Sequence, residues 1–229
     1  CNGKMGRVIT DLISKDEDVQ IVAGIDAYTG IANDYPVFKS IKECDVKADA
    51  IIDFAVTAAI DDLLDYAVET KTPVVVCTTG LSAQQLDKVN EASKSVAVLR
   101  SANMSLGINT LMKVLKIATD VLADRGFDIE IVEKHHNQKV DAPSGTALAL
   151  ADCINQELNN EYDYTYDRSN VREKRKKNEI GISAVRGGTI VGEHEVIFAG
   201  TDEVIEFKHT AYSRSVFGKG AVEAAKFLA

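Results

Sequence analysis

The chain has 229 residues, of which 45% are hydrophobic and 27% are charged, a composition typical of globular proteins rather than disordered or fibrous ones. Its formal net charge of −9 disfavours nucleic acid as a partner, because Lys and Arg side chains supply most of the attraction to phosphates. The sequence has no apolar run suited to a membrane helix and no signal-peptide pattern at its start, so we expect a cytoplasmic protein with no membrane partner.

Residues 1 to 103 alternate short apolar runs with amphipathic stretches, as parallel strands joined by crossover helices do. The predicted strands are 19–25, 50–54, 73–77 and 97–99, and the predicted helices are 5–14, 58–69 and 83–95. Ser82 is placed to cap the third helix, and a further helix over 213–229 is expected to return to this half. The pattern predicts a Rossmann-type, dinucleotide-binding domain made of residues 1–103 and 213–229.

The opening residues CNGKMG look like the tail of a GxxGxxG fingerprint, in which glycines let the backbone approach a pyrophosphate at a helix N-terminus. The first glycine and the first strand of such a fold would precede residue 1, so we expect that a handful of residues are missing. Asp26 ends the next predicted strand, where a carboxylate can accept hydrogen bonds from the adenosine ribose. No arginine follows it to meet a 2′-phosphate, so NADH should be accepted at least as well as NADPH.

Two further loops follow predicted strands, where an open parallel sheet binds its ligand. They are CTTG at residues 77–80 and SANM at residues 101–104. Backbone amides and small hydroxyls in these loops are suited to border a nicotinamide ribose, although ordinary strand-to-helix turn chemistry is the favoured explanation of either loop taken alone.

After residue 103 the pattern changes to long amphipathic and strictly alternating segments. Helices are predicted over 106–123 and 146–158, strands over 127–133, 180–185, 190–198 and 204–210, and a polar surface loop over 159–177. We therefore expect a smaller α+β domain over residues 104–212, with an open mixed four-stranded sheet covered by helices on one face. The other face lacks a covering layer, so this substrate-binding domain is also expected to contact another subunit.

The stretch EKHHNQKVDAPSGTA, residues 133–147, holds two of the four histidines and ends in a turn that opens a helix. His135, His136 and Lys139 can present two imidazoles and an ammonium to an anionic substrate, and a helix N-terminus can hold a carboxylate. A metal site is not expected, because neighbouring residues on an extended chain point in opposite directions and no cysteine or carboxylate cluster completes a ligand set. A turn that only starts a helix is compatible with carboxylate binding.

This stretch resembles the signature of the 4-hydroxy-tetrahydrodipicolinate reductase family, E-[AK]-H-H-x-x-K-x-D-A-P-S-G-T-A. The run RGGTIVGEH at residues 186–194 is similar to a second motif of that family, and CTTG, SANMS and SRSVFGKGA extend the resemblance over essentially the whole chain. The resemblance implies a homotetrameric enzyme of diaminopimelate and lysine biosynthesis. Such an enzyme reduces a cyclic imine dicarboxylate with loss of water, using NADH or NADPH.

The family's functional residues transfer to this sequence by position. The resemblance implies that His135 and Lys139 are catalytic and that His136, Lys139, Ser144, Gly145 and Thr146 bind substrate. It implies that the cofactor is bound by Gly3, Lys4, Met5, Asp26, Cys77, Thr78, Thr79, Ser101, Ala102, Asn103 and Met104. The sequence departs from the family in having Cys77 where glycine is frequent, and it ends before the usual C-terminal tail.

For the chemistry, Lys139 is favoured as the source of charge stabilisation and of the proton, with His135 orienting or relaying. Two other functions remain open from the residues alone. One is a different Rossmann reductase, such as an amino-acid or semialdehyde dehydrogenase, with Cys77 as a possible reactive thiol. The other is a non-catalytic NAD-binding sensor, which leaves the convergence of two histidines, a lysine and an anion-binding turn unexplained.

Overall fold

The computed structural model describes all 229 residues, which divide into two compact units. The first unit comprises Cys1–Ser105 and Arg214–Ala229, and the second comprises Leu106–Ser213. The helices are α1 (Lys4–Ile13), α2 (Ile60–Thr70), α3 (Ala83–Ala92), α4 (Leu106–Leu122), α5 (Gly145–Glu157) and α6 (Ser215–Leu228). The strands are β1 (Gly24–Ile25), β2 (Val37–Phe38), β3 (Ile51–Asp53), β4 (Val74–Val76), β5 (Val98–Arg100), β6 (Asp128–His135), β7 (Asp163–Tyr166), β8 (Glu179–Arg186), β9 (Gly192–Ala199) and β10 (Val204–Ala211). None of the helices combines the length and apolar character that crossing a membrane would require.

The first unit is built on parallel strands. β3, β4 and β5 form a three-stranded sheet, and β1 pairs with β2 in a separate two-stranded sheet. The central strand β4 is entirely apolar because helices cover both of its faces. Val74 and Val76 pack with α2 and α3, whereas Val75 packs with α6. The Rossmann-type parallel arrangement predicted for the first half is therefore confirmed.

The strand predicted over 19–25 is much shorter in the structure. Only Gly24 and Ile25 pair, and their partner β2 was not predicted. Val19 and Ile21 instead pack as apolar anchors beside α1 and α6. These residues are therefore apolar because they pack against the core, although they do not pair in a strand. A pattern of apolar residues alone does not tell these two situations apart.

The second unit is one five-stranded mixed sheet in the order β10-β9-β6-β8-β7. β9 runs antiparallel to β6 and β10, while β8 runs parallel to β6 and β7. Alternate residues of β6 and β8, such as Ile131 and Ile182, face a core that α4 and α5 close from one side with Leu115 and Leu150. The mixed sheet covered by helices on one face is confirmed.

The number of strands in this sheet was predicted wrongly, as four instead of five. The fifth strand, β7, lies inside residues 159–177, which were predicted to be a surface loop. β7 is a short edge strand whose two middle residues are partly buried and whose two end residues are exposed, so it lacks the apolar signal of an inner strand. Arg175 fixes the end of the same segment by donating to the carbonyls of Ile129 and Glu179, at 2.8 and 2.5 Å.

Candidate active site

The site in the second unit is positioned by β6, whose side chains point alternately to the two faces of the sheet. Ile129 and Ile131 face the helix-covered core, and the same period of two places Glu133 and His135 on that face. Glu133 has no exposed surface, and His135 is 8% exposed. A carboxylate without access to water is stable only if its oxygens are hydrogen-bonded or ion-paired, so the surroundings of Glu133 define the site.

Both carboxylate oxygens of Glu133 are occupied. Oε2 lies 2.5 Å from Nδ1 of His135 and accepts from Nη1 of Arg186 at 2.8 Å. Oε1 accepts from Nη2 of Arg186 at 2.7 Å and from the amide of Ser144 at 2.9 Å. Burial by itself would raise the pKa of Glu133, but the hydrogen bonds from these three residues outweigh it and hold the pKa at about 2. Glu133 is thus an ionised carboxylate at neutral pH.

Ser144 connects this carboxylate to the start of α5. It is the N-cap residue, and its hydroxyl accepts from the amide of Ala147 at 3.2 Å. Its Oγ also lies 2.9 Å from Nε2 of His194. Gly145 and Thr146 form the first helical positions, where the dipole of the helix favours a negative charge. The predicted substrate residues Ser144, Gly145 and Thr146 are therefore brought together with His135.

His194 is the second histidine of the cluster. Its ring centroid is 5.1 Å from that of His135 with the rings nearly perpendicular, and only 4% of the residue is exposed. Burial chiefly, with a contribution from neighbouring His135, lowers the pKa of His194 to about 3. His194 is therefore neutral at physiological pH and acts as a hydrogen-bonding partner of Ser144, not as a cation.

Lys139 lies in the loop between β6 and α5. Its Nζ is 2.8 Å and 2.9 Å from the two carboxylate oxygens of Asp141, and its amide donates to the carbonyl of His136 at 3.2 Å. Burial opposes ionisation of Asp141, but its bond to Lys139 holds its pKa below the usual range. The positive charge of Lys139 also contributes to the low pKa of His194. Lys139 therefore belongs to the same electrostatic environment as the two buried histidines.

The predicted cofactor residues at the start of the chain lie together in the first unit. Gly3 is the N-cap residue of α1, and Lys4 and Met5 form its first turn. A Cβ at Gly6 would collide with the carbonyl of Cys1, so the turn requires glycine there. Asp26 follows β1 and accepts from the amides of Asn2 and Tyr28, both at 2.9 Å. A helix N-terminus beside an acidic strand end fits the pyrophosphate and ribose of a dinucleotide.

The two predicted cofactor loops follow β4 and β5 in the same unit. The hydroxyl of Thr78 donates to buried Asp53 at 2.7 Å, and Ser101 Oγ donates to the carbonyl of Asn103 at 2.8 Å. Cys77 and Met104 are 7% exposed and pack in the core against α6, so only their backbones are suited to contact a ligand. Thr79 and Gly80 are exposed in the first loop, and Ala102 is exposed in the second.

The reactive-thiol alternative receives no support from Cys77. Burial first, and the nearby charge of Asp53 second, raise the pKa of this thiol to about 12, so it is protonated at neutral pH. All four cysteines are free thiols. No group of three or more His, Cys, Asp or Glu side chains is arranged to hold a metal ion.

Three members of the buried cluster received no role from the sequence: Glu133, Arg186 and His194. Glu133 carried a usable signal, because it continues the row of alternate buried residues of β6 and must therefore find a partner. Arg186 and His194 lie in the RGGTIVGEH run, but their contacts span 53 and 50 residues of sequence. No local pattern reveals such a pairing.

A glycine-capped helix with a strand-end acid, joined to a separate mixed-sheet unit, is the organisation of a two-domain nicotinamide-dependent oxidoreductase. Family models agree: the N-terminal model of dihydrodipicolinate reductase matches residues 1–104 and the C-terminal model matches residues 107–229. The chain belongs to the dihydrodipicolinate reductase family.

Individual relatives lead to the same family. The 4-hydroxy-tetrahydrodipicolinate reductase of Caldanaerobacter subterraneus subsp. tengcongensis is 56% identical over 228 residues, covering 100% of this chain and 90% of the relative. That of Clostridium novyi is 52% identical over 229 residues, with the same coverage of 100% and 90%. Among solved structures, dipicolinate-bound dihydrodipicolinate reductase from Paenisporosarcina sp. TG-14 superimposes with a TM-score of 0.80 at 22% identity, over 99% of this chain and 91% of the other. At that identity the structural match supports the fold alone.

Proposed function

We propose that this chain catalyses the reduction of 4-hydroxy-tetrahydrodipicolinate to tetrahydrodipicolinate with loss of water, a step of diaminopimelate and lysine biosynthesis. The observation that carries the proposal is the 56% identity to a named reductase of this substrate over essentially the full chain. The buried cluster around Glu133 supports it, because His135, Ser144 and the start of α5 converge there as a dicarboxylate would require. The cytoplasm is its expected compartment, consistent with four free thiols.

Two groups of residues in the second unit are suited to bind different parts of the substrate. The first turn of α5, at Gly145 and Thr146, and the hydroxyl of Ser144 are suited to one carboxylate of the substrate. Lys139 and His136, at the other end of the same loop, are suited to negative charge elsewhere on the substrate. The ammonium of Lys139 already neutralises the carboxylate of Asp141, so binding a substrate carboxylate replaces one anionic partner with another.

Gly3, Lys4, Met5, Asp26 and the loops after β4 and β5 would hold a reduced nicotinamide cofactor, which would supply the hydride. Reduction adds one hydride and one proton to the substrate, which loses one water. Lys139 stabilises the developing negative charge and delivers the proton, while His135 orients the reacting group or relays the proton. Because the carboxylate of Asp26 would repel a 2′-phosphate and the uncharged Ala27 follows it, we expect NADH to serve at least as well as NADPH.

The test is to record the absorbance of NADH after mixing the protein with freshly generated condensation product of pyruvate and aspartate semialdehyde. We expect rapid oxidation that depends on substrate, and repeating the assay with NADPH tests the cofactor preference. Lys139→Ala should lower kcat by about 100-fold or more, the usual scale of a lost proton donor. Lys116→Ala is the matched control, because Lys116 also pairs with a carboxylate at 2.8 Å but lies on α4, where its partner is Glu157 of α5.

Two outcomes would contradict this proposal. NADH binding without oxidation by the parent protein would favour the sensor function or a different substrate. A Lys139→Ala rate within a few-fold of the Lys116→Ala rate would remove Lys139 from its catalytic role while leaving the reaction itself intact.

We further propose that the chain assembles as a homotetramer through the second unit. The face of its sheet opposite α4 and α5 carries Val132 and Ile197 from neighbouring central strands, with exposed Val185 and Val204 toward its edges. Apolar residues on a face that no helix of the unit covers are typical of a subunit contact.

A further inference from the structure

The proposed chemistry assigns no role to Glu133, although it is the most completely buried charged side chain of the site. Its carboxylate binds His135 through one oxygen and the amide of Ser144 through the other, while Arg186 bridges both. One buried group thus contacts both the imidazole assigned to catalysis and the residue that begins the anion-binding turn.

We propose that Glu133 is a positioning residue that holds His135 in the tautomer with its proton on Nδ1 and fixes Ser144 at the start of α5. The inference rests on the proposed function, because it takes His135 as part of the catalytic machinery. An ionised carboxylate only accepts hydrogen bonds, so the Nδ1 atom 2.5 Å away must carry the hydrogen. In the neutral ring Nε2 then holds the lone pair, ready to accept a proton and pass it on.

Arg186 keeps this arrangement in one orientation. Its two amino groups donate to the two oxygens of Glu133, a bidentate geometry that prevents the carboxylate from rotating. Nη2 also donates to the carbonyl of Asp141 at 2.6 Å, which ties the loop carrying Lys139 to the same cluster. The bond to Glu133, before any other influence, raises the pKa of Arg186, so the pair remains charged across the working pH range.

The titratable groups around His135 lie on several elements, of which three contribute charge. β6 contributes Glu133, β8 contributes Arg186, and the following loop contributes Lys139 with its partner Asp141. His194 of β9 adds no charge, since burial above all keeps its pKa at about 3, and His209 of β10, its cross-strand partner, has a pKa lowered by burial. Glu133 and Arg186 offset each other, so a proton taken up on Nε2 of His135 adds a positive charge beside the proposed anion site.

The nearest conservative change, Glu133→Gln, separates a positioning role from simple packing. Glutamine has almost the same size, but its side chain offers one acceptor oxygen and one amide that donates. Its amide nitrogen must replace either Oε2, which faces His135 and Nη1 of Arg186, or Oε1, which faces Nη2 of Arg186 and the amide of Ser144. The second orientation opposes two fixed donors, so the oxygen should stay at the Oε1 position. His135 must then accept at Nδ1, and its proton moves to Nε2.

The experiment is NMR of the imidazole ring nitrogens in protein whose four histidines carry a nitrogen isotope label. The signals of His135 are assigned by their loss in His135→Gln. The neutral ring of His135 in the parent should carry its proton on Nδ1 and not on Nε2, and Glu133→Gln should reverse this pattern. We expect kcat of Glu133→Gln to fall by about 10- to 100-fold, the scale seen when a residue that orients a functional histidine is lost. The KM for the nicotinamide cofactor should stay close to that of the parent.

Glu130→Gln is the matched control. Glu130 lies on the same strand and pairs with Arg175 at 2.9 Å, but it belongs to the opposite face of the sheet. This variant should keep the parent tautomer of His135 and the parent kcat.

Three results would overturn the inference: an Nε2–H tautomer of His135 in the parent, an unchanged tautomer in Glu133→Gln, or equal kcat in the two glutamine variants. The parent measurement does not depend on Glu133→Gln, so it tests the inference even if that variant does not fold. If the parent protein fails to reduce the proposed substrate, the tautomer readings still test Glu133, and the two failures remain distinguishable.

Discussion

His194 shows how a single buried residue can make the stability of the protein depend on pH. It is 4% exposed, and its Nε2 lies 2.9 Å from the hydroxyl of Ser144. Burial is the main reason why its pKa falls to about 3, against the ordinary value of 6.5. In the unfolded chain the imidazole takes up a proton below its ordinary pKa, whereas in the folded protein it stays neutral down to about pH 3.

The free energy of unfolding should therefore decrease as the pH falls below 6.5, because the unfolded state binds the additional proton. Each pKa unit corresponds to about 1.4 kcal/mol, so lowering the pH from 7 to 5 should cost about 2 kcal/mol through His194 alone. Urea unfolding at the two pH values measures this loss. Glu133 adds nothing in that window, because its own contribution is lost only as the pH falls from its ordinary 4.5 toward about 2.

His194→Gln is the variant that isolates this effect, since glutamine can hydrogen-bond to Ser144 but does not titrate. Its free energy of unfolding should fall less between pH 7 and pH 5 than that of the parent, by about 2 kcal/mol. Equal losses in the two proteins would mean that His194 is protonated in the folded state or that another group controls the pH dependence.

At the scale of elements, the connection between β8 and β9 controls the space around His135. The amide of Gly187 donates to the carbonyl of His135 at 2.9 Å, and Gly188 adopts a φ of +49°, which favours glycine. Gly192 begins β9 directly against the imidazole. A Cβ at Gly192 would lie 3.1 Å from Nε2, the atom proposed to exchange the proton.

Gly192→Ala should displace the imidazole by a few tenths of an ångström while leaving the backbone of β9 unchanged. Misplacing a reacting group by about 1 Å can cost 100-fold in rate, so we expect kcat to fall by about tenfold with little change in melting temperature. Gly187→Ala is the control, because a Cβ there meets no atom within 4 Å and its φ is not positive. Equal kcat values for the two alanine variants would show that Nε2 of His135 tolerates the contact.

The elements that were predictable from sequence are those whose pattern is local. Alternation of apolar and polar residues identified β6, β8, β9 and β10. Ser82 was correctly predicted to cap α3, and the structure adds that it does so in a capping box with Gln85. β7 was missed because an edge strand of four residues has only a weak pattern.

Within the site, the segment from His135 to Thr146 could be identified as one block of sequence. The bond from Arg186 to Glu133 could not, because it joins parallel strands distant in sequence.

At the scale of the whole molecule, the proposed tetramer depends on the face of the sheet opposite α4 and α5, here called the open face. Its apolar members Val132, Val185, Ile197 and Val204 lie among charged residues of the same strands. Ile197 lies opposite Glu130 on β6 and opposite Glu206 on β10. A lysine at position 197 would therefore be flanked by two carboxylates in an isolated subunit, which should preserve the fold.

The parent protein should sediment with a mass about four times that of the 24.8 kDa chain, and Ile197→Lys should shift it to a smaller species. The reason is that a contact between copies of the open face would bury the new ammonium, and an uncompensated buried charge costs several kcal/mol. Phe227→Lys, an exposed position on α6 in the first unit, is the control and should leave the mass unchanged. A parent that sediments as a monomer would contradict the tetramer. A tetrameric Ile197→Lys protein would instead place the contact on another surface, for which the exposed side of α4 at Val114, Ile117 and Val121 is the next candidate.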